Sequence, residues 1–512
     1  MQVLRLINQN SSAAESQVYF NSQIPFENQL LNIKRNSTVK IFTHRTHPSQ
    51  LFSLKRVIPH RFRVKIEKMI TDVEESQLSR QDVYDCIGIG IGPYNLSLAA
   101  LMEEKTDLKV KFFDQTPEFQ WHPGMLINLT DLQVPFIADL VTFANPQSRY
   151  SYLNYLHTHN RLYKFFFFQK FEMPRQEYND YARWVVSQLS CCQFHSEVIG
   201  VTDEGDCYKV VIDNRLTDER EIYYAKHVVM GTGSKPLILD GMDGLPDVDV
   251  HHTSKYLFHK NTTMERSSIT IVGSGQSAAE VFFDLLKEQK DHSYQLTWLT
   301  RSEGILQLES SKLGQEFFAP DYVDYFHGLT YEKRVEALET LDQLRNGIDP
   351  DTLNNIYNIL YNHSVSDSSP DITIQPLTEV SKIRKEEDQY VLNCRQWQEG
   401  RDFSYQTDKV ILATGYKPNI PEWFFEEFED KIVWEDEEKY KVSRNYKLEF
   451  KENRDRGHHF YTVTSLEHSH GAGATNLGLA VDRNIQIIND IVGKEVYEVQ
   501  RNTIFSQFTM DK

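Results

Sequence analysis

The chain is 512 residues long, 40% hydrophobic and 25% charged, the composition of a globular protein of two or three domains. Its formal net charge of -18 argues against nucleic acid as the main partner, because phosphate binding needs a basic face, and favours a small cation only mildly. The five cysteines (Cys86, Cys191, Cys192, Cys207 and Cys394) include no C-x-x-C pair for metal or redox work, which fits a reducing cytoplasm.

No segment has the apolar core of a secretory signal or approaches 18 apolar residues. The run FFFF at 165–168 lies between lysines and is too short to span a membrane, so a soluble cytoplasmic protein is expected. Residues 1–80 are polar, rich in Asn, Ser and Gln, and read as an N-terminal extension of unknown role. Within them VIPHRFRVKIEKMI (57–70) suits one or two strands and a short helix, and Met69 is a conceivable alternative start.

From Tyr84 onward, short β-rich runs alternate with helical patterns. The strands are YDCIGIG, LKVKFFD, HVVMGTG, SITIVGSG, QLTWLT and KVILATGY; the helices include NLSLAALMEE (95–104) and QSAAEVFFDLLKEQ (276–289). This alternation predicts an α/β protein with parallel, doubly wound sheets. Residues 81–235 read as the first part of one domain and 236–405 as a second domain. A polar, helical insertion is expected at about 305–365. KVILATGY is expected to return the chain to the first domain over 406–500, before a tail at 501–512.

Two strand–turn–helix units carry phosphate-binding signatures. In GIGIGP, Gly88 suits the tight turn, Gly90 lets the backbone approach a pyrophosphate, and Gly92 and Pro93 open the helix. The next strand ends in Asp114, placed to bind a ribose hydroxyl. In GSGQSA, Gly273 and Gly275 repeat the pattern, but the following strand ends at Arg301, a cation suited to the 2′-phosphate of NADP. Two such turns suggest a flavoprotein that uses FAD and a nicotinamide. Without a redox cysteine pair, oxygen is the default electron acceptor.

With these landmarks placed, residues from about Tyr84 to Gly493 resemble the flavin-dependent N-hydroxylating monooxygenases of siderophore biosynthesis, which act on lysine, ornithine or diamines. The matching segments are GIGIGPYNLSLAA, FFDQTPEFQWHPGML, LQVPFIADLVTFANPQSRYSYLNYLHTHNRL, PRQEYNDYARWV, GSGQSAAE and HSHGAGATNLGLA. DKVILATGYKPNIP fits the family pattern D-x3-(L/F)-ATGY-x4-(H/P) through Asp408, Ala413 to Tyr416 and Pro421, and so includes Thr414 and Gly415. The resemblance implies two Rossmann-like domains for FAD and NADPH with a small, mainly helical substrate insertion. It implies reaction of a terminal amine with a C4a-hydroperoxyflavin, O2 as co-substrate, a homo-oligomer (dimer or tetramer), no metal and no catalytic side chain.

By the same resemblance Trp121, His122 and Met125 lie along the FAD ring, and Gln133 meets the flavin or the nicotinamide amide. Gln276 and Ser277 meet the NADP pyrophosphate or ribose, and Leu477 and Gly478 approach the flavin and the substrate mouth. The amino-acid hydroxylases read F-(L/I)-K-D-L where this chain reads Phe136-Ile137-Ala138-Asp139-Leu140, so the lysine that holds the α-carboxylate is absent. Gln315 replaces a substrate-binding asparagine, and Asn346 is a candidate for a second. These departures favour putrescine or cadaverine, with lysine N6- or ornithine N5-hydroxylation the alternative and a Baeyer–Villiger or sulfide-type monooxygenase a distant one. Glu309 and Glu316 are candidate partners for the second ammonium, and Asp139 is expected to cap local structure.

Overall fold

Strands of a parallel sheet are covered by helices on both faces and so need continuous apolar runs, which this chain supplies twice. The computed structural model describes residues 3–8, 15–19, 39–40, 83–365, 371–452 and 456–510, and separates the chain into units 1–81 and 82–512. In the first unit, Val3–Asn8 lies between Glu15–Tyr19 and Val39–Lys40 in an antiparallel sheet. The elements expected in 57–70, and Met69, lie outside the described residues.

The second unit opens with β1 (Tyr84–Ile89), α1 (Pro93–Lys105) and β2 (Val110–Phe113). β1 is the hub of the first sheet, parallel to β2 on one side and to β3 (Glu219–Met230) on the other. β3 belongs to this sheet in two ways. Its first half pairs antiparallel with Tyr208–Asn214, and its last residues run parallel to both β1 and His459–Thr462. The apolar centres of these strands, including Cys86, Ile87, Phe112, Val228 and Phe460, are buried in one core.

The second sheet contains β4 (Ser268–Val272), β5 (Gln295–Leu299) and β6 (Lys409–Leu412), in the order Val250–His252, β6, β4, β5, Ile372–Gln375, all parallel. KVILATGY therefore does not rejoin the first domain as a strand. β6 is wedged between two strands of the second sheet, and its four residues are buried. The return occurs a few residues later, where Tyr416–Pro418 pairs antiparallel with the outgoing linker Ser234–Pro236. An antiparallel three-stranded meander over 378–407, which the sequence reading did not separate, completes this domain.

The expected insertion is helical and serves both domains. α2 (Gln276–Glu288), from the second domain, packs against α3 (Pro350–Val365) at the end of the insertion. Its earlier helices, Pro320–His327 and Tyr331–Thr340, pack against Glu467–His470 of the first domain. The chain then forms α4 (Ala480–Val492), which lies against α1. There Asn484 donates to the carbonyl of Tyr94 and to Ser97 Oγ, both at 2.9 Å.

Candidate active site

The two glycine turns form matching cradles. Gly90 has φ 85°, and a Cβ there would lie 2.4 Å from the carbonyl oxygen of Gly231. Gly273 has φ 141°, and its Cβ would lie 2.2 Å from the carbonyl oxygen of Ala413. Only glycine satisfies both the backbone angle and the close approach. Gly92 and Gly275 cap α1 and α2, and a Cβ on either would meet no protein atom within 4 Å. With Pro93 opening α1, each first helical turn has amides without helical partners beside a glycine that borders open space, a setting that fits a pyrophosphate.

Gly88 has a different task from the one expected. It lies in β1 rather than in the turn, and a Cβ there would lie 2.1 Å from the ring of Phe112, so its absence lets β2 pack. Asp114 has a role within the chain as well. One carboxylate oxygen accepts from the Ile91 amide at 2.7 Å and the other from the Thr116 amide at 2.8 Å, so Asp114 fixes the glycine turn.

At the second cradle, the Gln276 side chain is fully engaged within the protein. Its amide nitrogen donates to Glu280 (2.8 Å) and Thr352 (3.2 Å), and its oxygen accepts from the Asp349 amide (2.8 Å). It ties the insertion to the turn, while half-buried Ser277 follows it in the first turn of α2, whose leading amides have no partner within the helix. Arg301 is exposed; its carbonyl accepts from Trp397, and its guanidinium bonds to none of the described residues.

Between the cradles the segment WHPGM crosses from one core to the other. Trp121 packs against the first core and lies edge-on to Tyr178 at 5.1 Å, whereas Met125 is buried in the core of the second domain. Gly124 makes the crossing possible, because a Cβ there would lie 1.9 Å from the Ser254 carbonyl oxygen. Met125 is therefore anchored by packing in the second core. His122 adopts φ 49° between Trp121 and Tyr416, with ring centroids at 5.0 and 5.8 Å. Solvent reaches its ring, but the enclosing protein, with the nearby charge of Arg175, pushes its pKa down to about 4.

The substrate candidates divide. Ala138 is 5% exposed, and a Cβ on Gly478 would lie 3.9 Å from its own, so two predicted wall residues meet. Leu477 beside them packs against the first core. Gln133 is exposed on the strand Asp131–Pro135, and Asn346 is exposed in the insertion. The amide of Gln315 donates to the carbonyl of Glu309 at 2.8 Å and braces its own loop.

Both candidate acids also hold the chain's own backbone. Glu309 accepts from the Ser311 amide, and Glu316 accepts from the amides of Phe505 and Ser506. Asp139 caps local structure as expected, accepting from the amides of Val141, Thr142 and Tyr152 and from the Thr142 hydroxyl. Its burial raises its pKa despite those four bonds.

Several supporting residues carried no sequence signal. Buried Asn95 donates to the carbonyls of Ile89 and Gly90, and Trp298 donates to that of Gly273, so each turn is held from behind. Arg175 makes a two-pronged bond to Glu280 at 2.6 and 2.7 Å, joining PRQEY to α2. Arg483 lies over the Tyr94 ring and donates to the Ala474 carbonyl at 2.6 Å, which sets the turn before Gly478. At the crossing of the linkers, Gly415 (φ 85°) accepts from His252 and from the Leu237 amide, while Thr414 Oγ1 bonds to the Leu237 carbonyl. Thr414 and Gly415 thus hold the hinge between the cradles. Asn95, Trp298, Arg175, Thr414 and Gly415 lie within segments quoted above, but those segments do not reveal their partners, most of which are distant in the chain.

The model of the L-lysine 6-monooxygenase/L-ornithine 5-monooxygenase family matches residues 82–418. The chain belongs to this family. This N-monooxygenase is 38% identical over 431 residues to the putrescine N-hydroxylase of Shewanella oneidensis, spanning 83% of this chain and 84% of that protein. It is 34% identical over 435 residues to a rhizobactin siderophore biosynthesis protein of Rhizobium meliloti, spanning 83% and 95%. Among solved structures, the FAD-bound cadaverine monooxygenase of the desferrioxamine pathway of Erwinia amylovora superposes with a TM-score of 0.79. It is 35% identical, and the match covers 84% of this chain and 100% of that one. Among the described residues of the N-monooxygenase, no helix is long and apolar enough to cross a membrane, and no cluster of ligating side chains suits a metal.

Proposed function

We propose that this N-monooxygenase hydroxylates one terminal amine of an aliphatic diamine, putrescine or cadaverine, giving an N-hydroxydiamine for hydroxamate siderophore assembly. The observation that carries the reading is buried Ala138 packed against Gly478, at the position where the amino-acid enzymes present a lysine to the substrate carboxylate. Removing the partner of a buried carboxylate costs about 3–5 kcal/mol, so an amino acid loses far more here than a diamine does.

FAD and NADPH are the cofactors, NADPH supplying hydride and FAD the activation of O2. The chain's residues bind, orient and exclude water. Gly90 and Gly92 with the α1 amides suit the FAD pyrophosphate, Gly273 and Gly275 with the α2 amides suit that of NADPH, and Arg301 offers its charge to the 2′-phosphate.

An alkyl ammonium has a pKa of about 10.4, and only its neutral form has a lone pair for oxidation. The apolar wall of Ala138 and Leu477 disfavours the charged form and so lowers the pKa of a bound amine. Of the two basic groups near the WHPGM segment, His122 is held toward its neutral form and Arg175 is paired with Glu280. The exposed aromatics Tyr163, Phe166 and Phe167 form an apolar face that supports assembly as a dimer or tetramer, which sedimentation measures.

The deciding experiment measures hydroxylamine product from putrescine, cadaverine, lysine and ornithine at equal concentration, alongside NADPH oxidation. Product mainly from the diamines is expected. Product mainly from lysine refutes the reading and points to lysine N6-hydroxylation.

A further inference from the structure

The end of the chain is built into the substrate insertion. After α4, buried Tyr497 donates to the Leu101 carbonyl at 2.8 Å, so the segment first crosses α1. It then reaches two acids of the insertion. Asp321 accepts from the amides of Asn502 and Thr503, both at 3.0 Å, and from the Thr503 hydroxyl. Glu316 accepts from the amides of Phe505 (3.0 Å) and Ser506 (2.8 Å). The Phe508 ring then packs among Phe317, Tyr322 and Tyr325, with centroids at 5.1, 4.9 and 5.9 Å.

These anchors act on a turn that touches the pocket wall. Glu316 and Phe317 belong to the short helix Gly314–Phe318, beside Gln315. The next residue, Phe318, packs on Gly473, where a Cβ would lie 3.3 Å from its ring and 2.6 Å from Leu479. Leu479 adjoins Gly478, which faces Ala138. A continuous path of packed groups therefore runs from Phe508 through Phe317 and Phe318 to Gly473, Gly478 and Ala138. Seven of the nine residues 502–510 engage Asp321, Glu316 or the aromatic cluster or bond among themselves, which a loose tail does not do.

We propose that residues 502–508 are a positioning strap that holds the Gly314–Phe318 turn against Gly473 and thereby sets the amine pocket. The inference rests on the N-hydroxylase reading given above. The strap touches neither substrate nor cofactor. Its effect is on how well the amine is aligned, so that reducing equivalents end in hydroxylamine and not in hydrogen peroxide.

The test uses the full-length, FAD-loaded enzyme, its Phe508→Ala and Phe508→Tyr variants, and a chain ending at Arg501. For Phe508→Ala, KM for the amine is expected to rise about tenfold and the fraction of NADPH oxidation yielding hydroxylamine to fall by about half or more, since small misplacements cost turnover heavily. KM for NADPH and the rate of flavin reduction are expected to stay unchanged, and Phe508→Tyr to behave as the parent. Unchanged amine KM and coupling in the truncated enzyme, or equal changes in both KM values, would overturn the proposal.

Hydrogen exchange reads the strap without turnover, so failure of the strap stays distinct from failure of the substrate assignment. Faster exchange in both 314–318 and 471–478 of Phe508→Ala is expected. Faster exchange confined to 314–318 would show that the path to the pocket wall does not transmit.

Discussion

Replacing Ala138 by lysine returns the missing cation to the pocket wall, and its consequences can be worked out. The residue is 5% exposed and faces Gly478, so a lysine stem there is expected to lie against the Gly478 turn and bring its ammonium into the pocket. At an effective dielectric of 20, two like charges about 8 Å apart repel by about 2 kcal/mol, and at 4 Å by about 4 kcal/mol. Those energies correspond to losses of roughly 30-fold to 1,000-fold in kcat/KM for putrescine or cadaverine.

For lysine and ornithine the same cation gains a carboxylate partner, so their kcat/KM is expected to rise at least tenfold relative to the diamines. Steady-state hydroxylamine formation on all four amines measures this, with FAD content and thermal melting as folding controls. Ala138→Met, of similar length but neutral, separates bulk from charge and is expected to cost the diamines only a few-fold. Equal losses in the Lys and Met variants would show steric filling alone. Unchanged diamine kinetics in Ala138→Lys would show that residue 138 does not line the pocket.

Three further outcomes are expected. Gly90→Ala forces a Cβ to within 2.4 Å of Gly231 O and is expected to abolish FAD retention, whereas Gly273→Ala, equally crowded by Ala413 O, keeps the flavin absorbance but raises KM for NADPH; the visible spectrum and kinetics separate them. Arg301→Ala removes an exposed, uncommitted guanidinium and is expected to lower the preference for NADPH over NADH about 10–100-fold, the worth of a charge-assisted bond; an unchanged ratio would remove Arg301 from the cofactor site.

Asp249→Asn strands the fully buried Lys409 ammonium, bonded to it at 2.7 Å, and is expected to cost about 3–5 kcal/mol of stability. Burial raises the Asp249 carboxyl, but bonds from Lys409 and Tyr390 outweigh it and hold its pKa below the ordinary value. Its contribution is therefore present above the unfolded pKa of about 3.9 and lost as pH falls through the lower folded value. Melting curves of parent and Asn variant should converge only under acid; a gap independent of pH would refute the assignment.

The strands were legible because parallel strands buried on both faces require apolar runs, and the cradles because Gly90, Gly92, Gly273 and Gly275 sit at fixed offsets from strand and helix. Departures began where a residue's partner lies far along the chain. Nothing in the local text of Glu316 distinguishes an acid that holds an ammonium from one that holds the amides of Phe505 and Ser506. Nor does the text of Gln276 reveal that Asp349 and Thr352 occupy its amide. Gly88 looks like a turn glycine until the Phe112 ring of the neighbouring strand is placed against it.

By itself the sequence determined the two cradles, the helical insertion, and the absence of a lysine at position 138, because each is set by residue type at short, fixed spacing. Only the tertiary structure decided that β6 belongs to the second sheet, because sheet order is a choice among partners of similar apolar character. It also decided that Trp121 and Met125 anchor in different cores, and that the C-terminal segment reaches back to the insertion. Those outcomes depend on which distant surfaces are buried together, a free-energy comparison over the whole chain that no short segment contains.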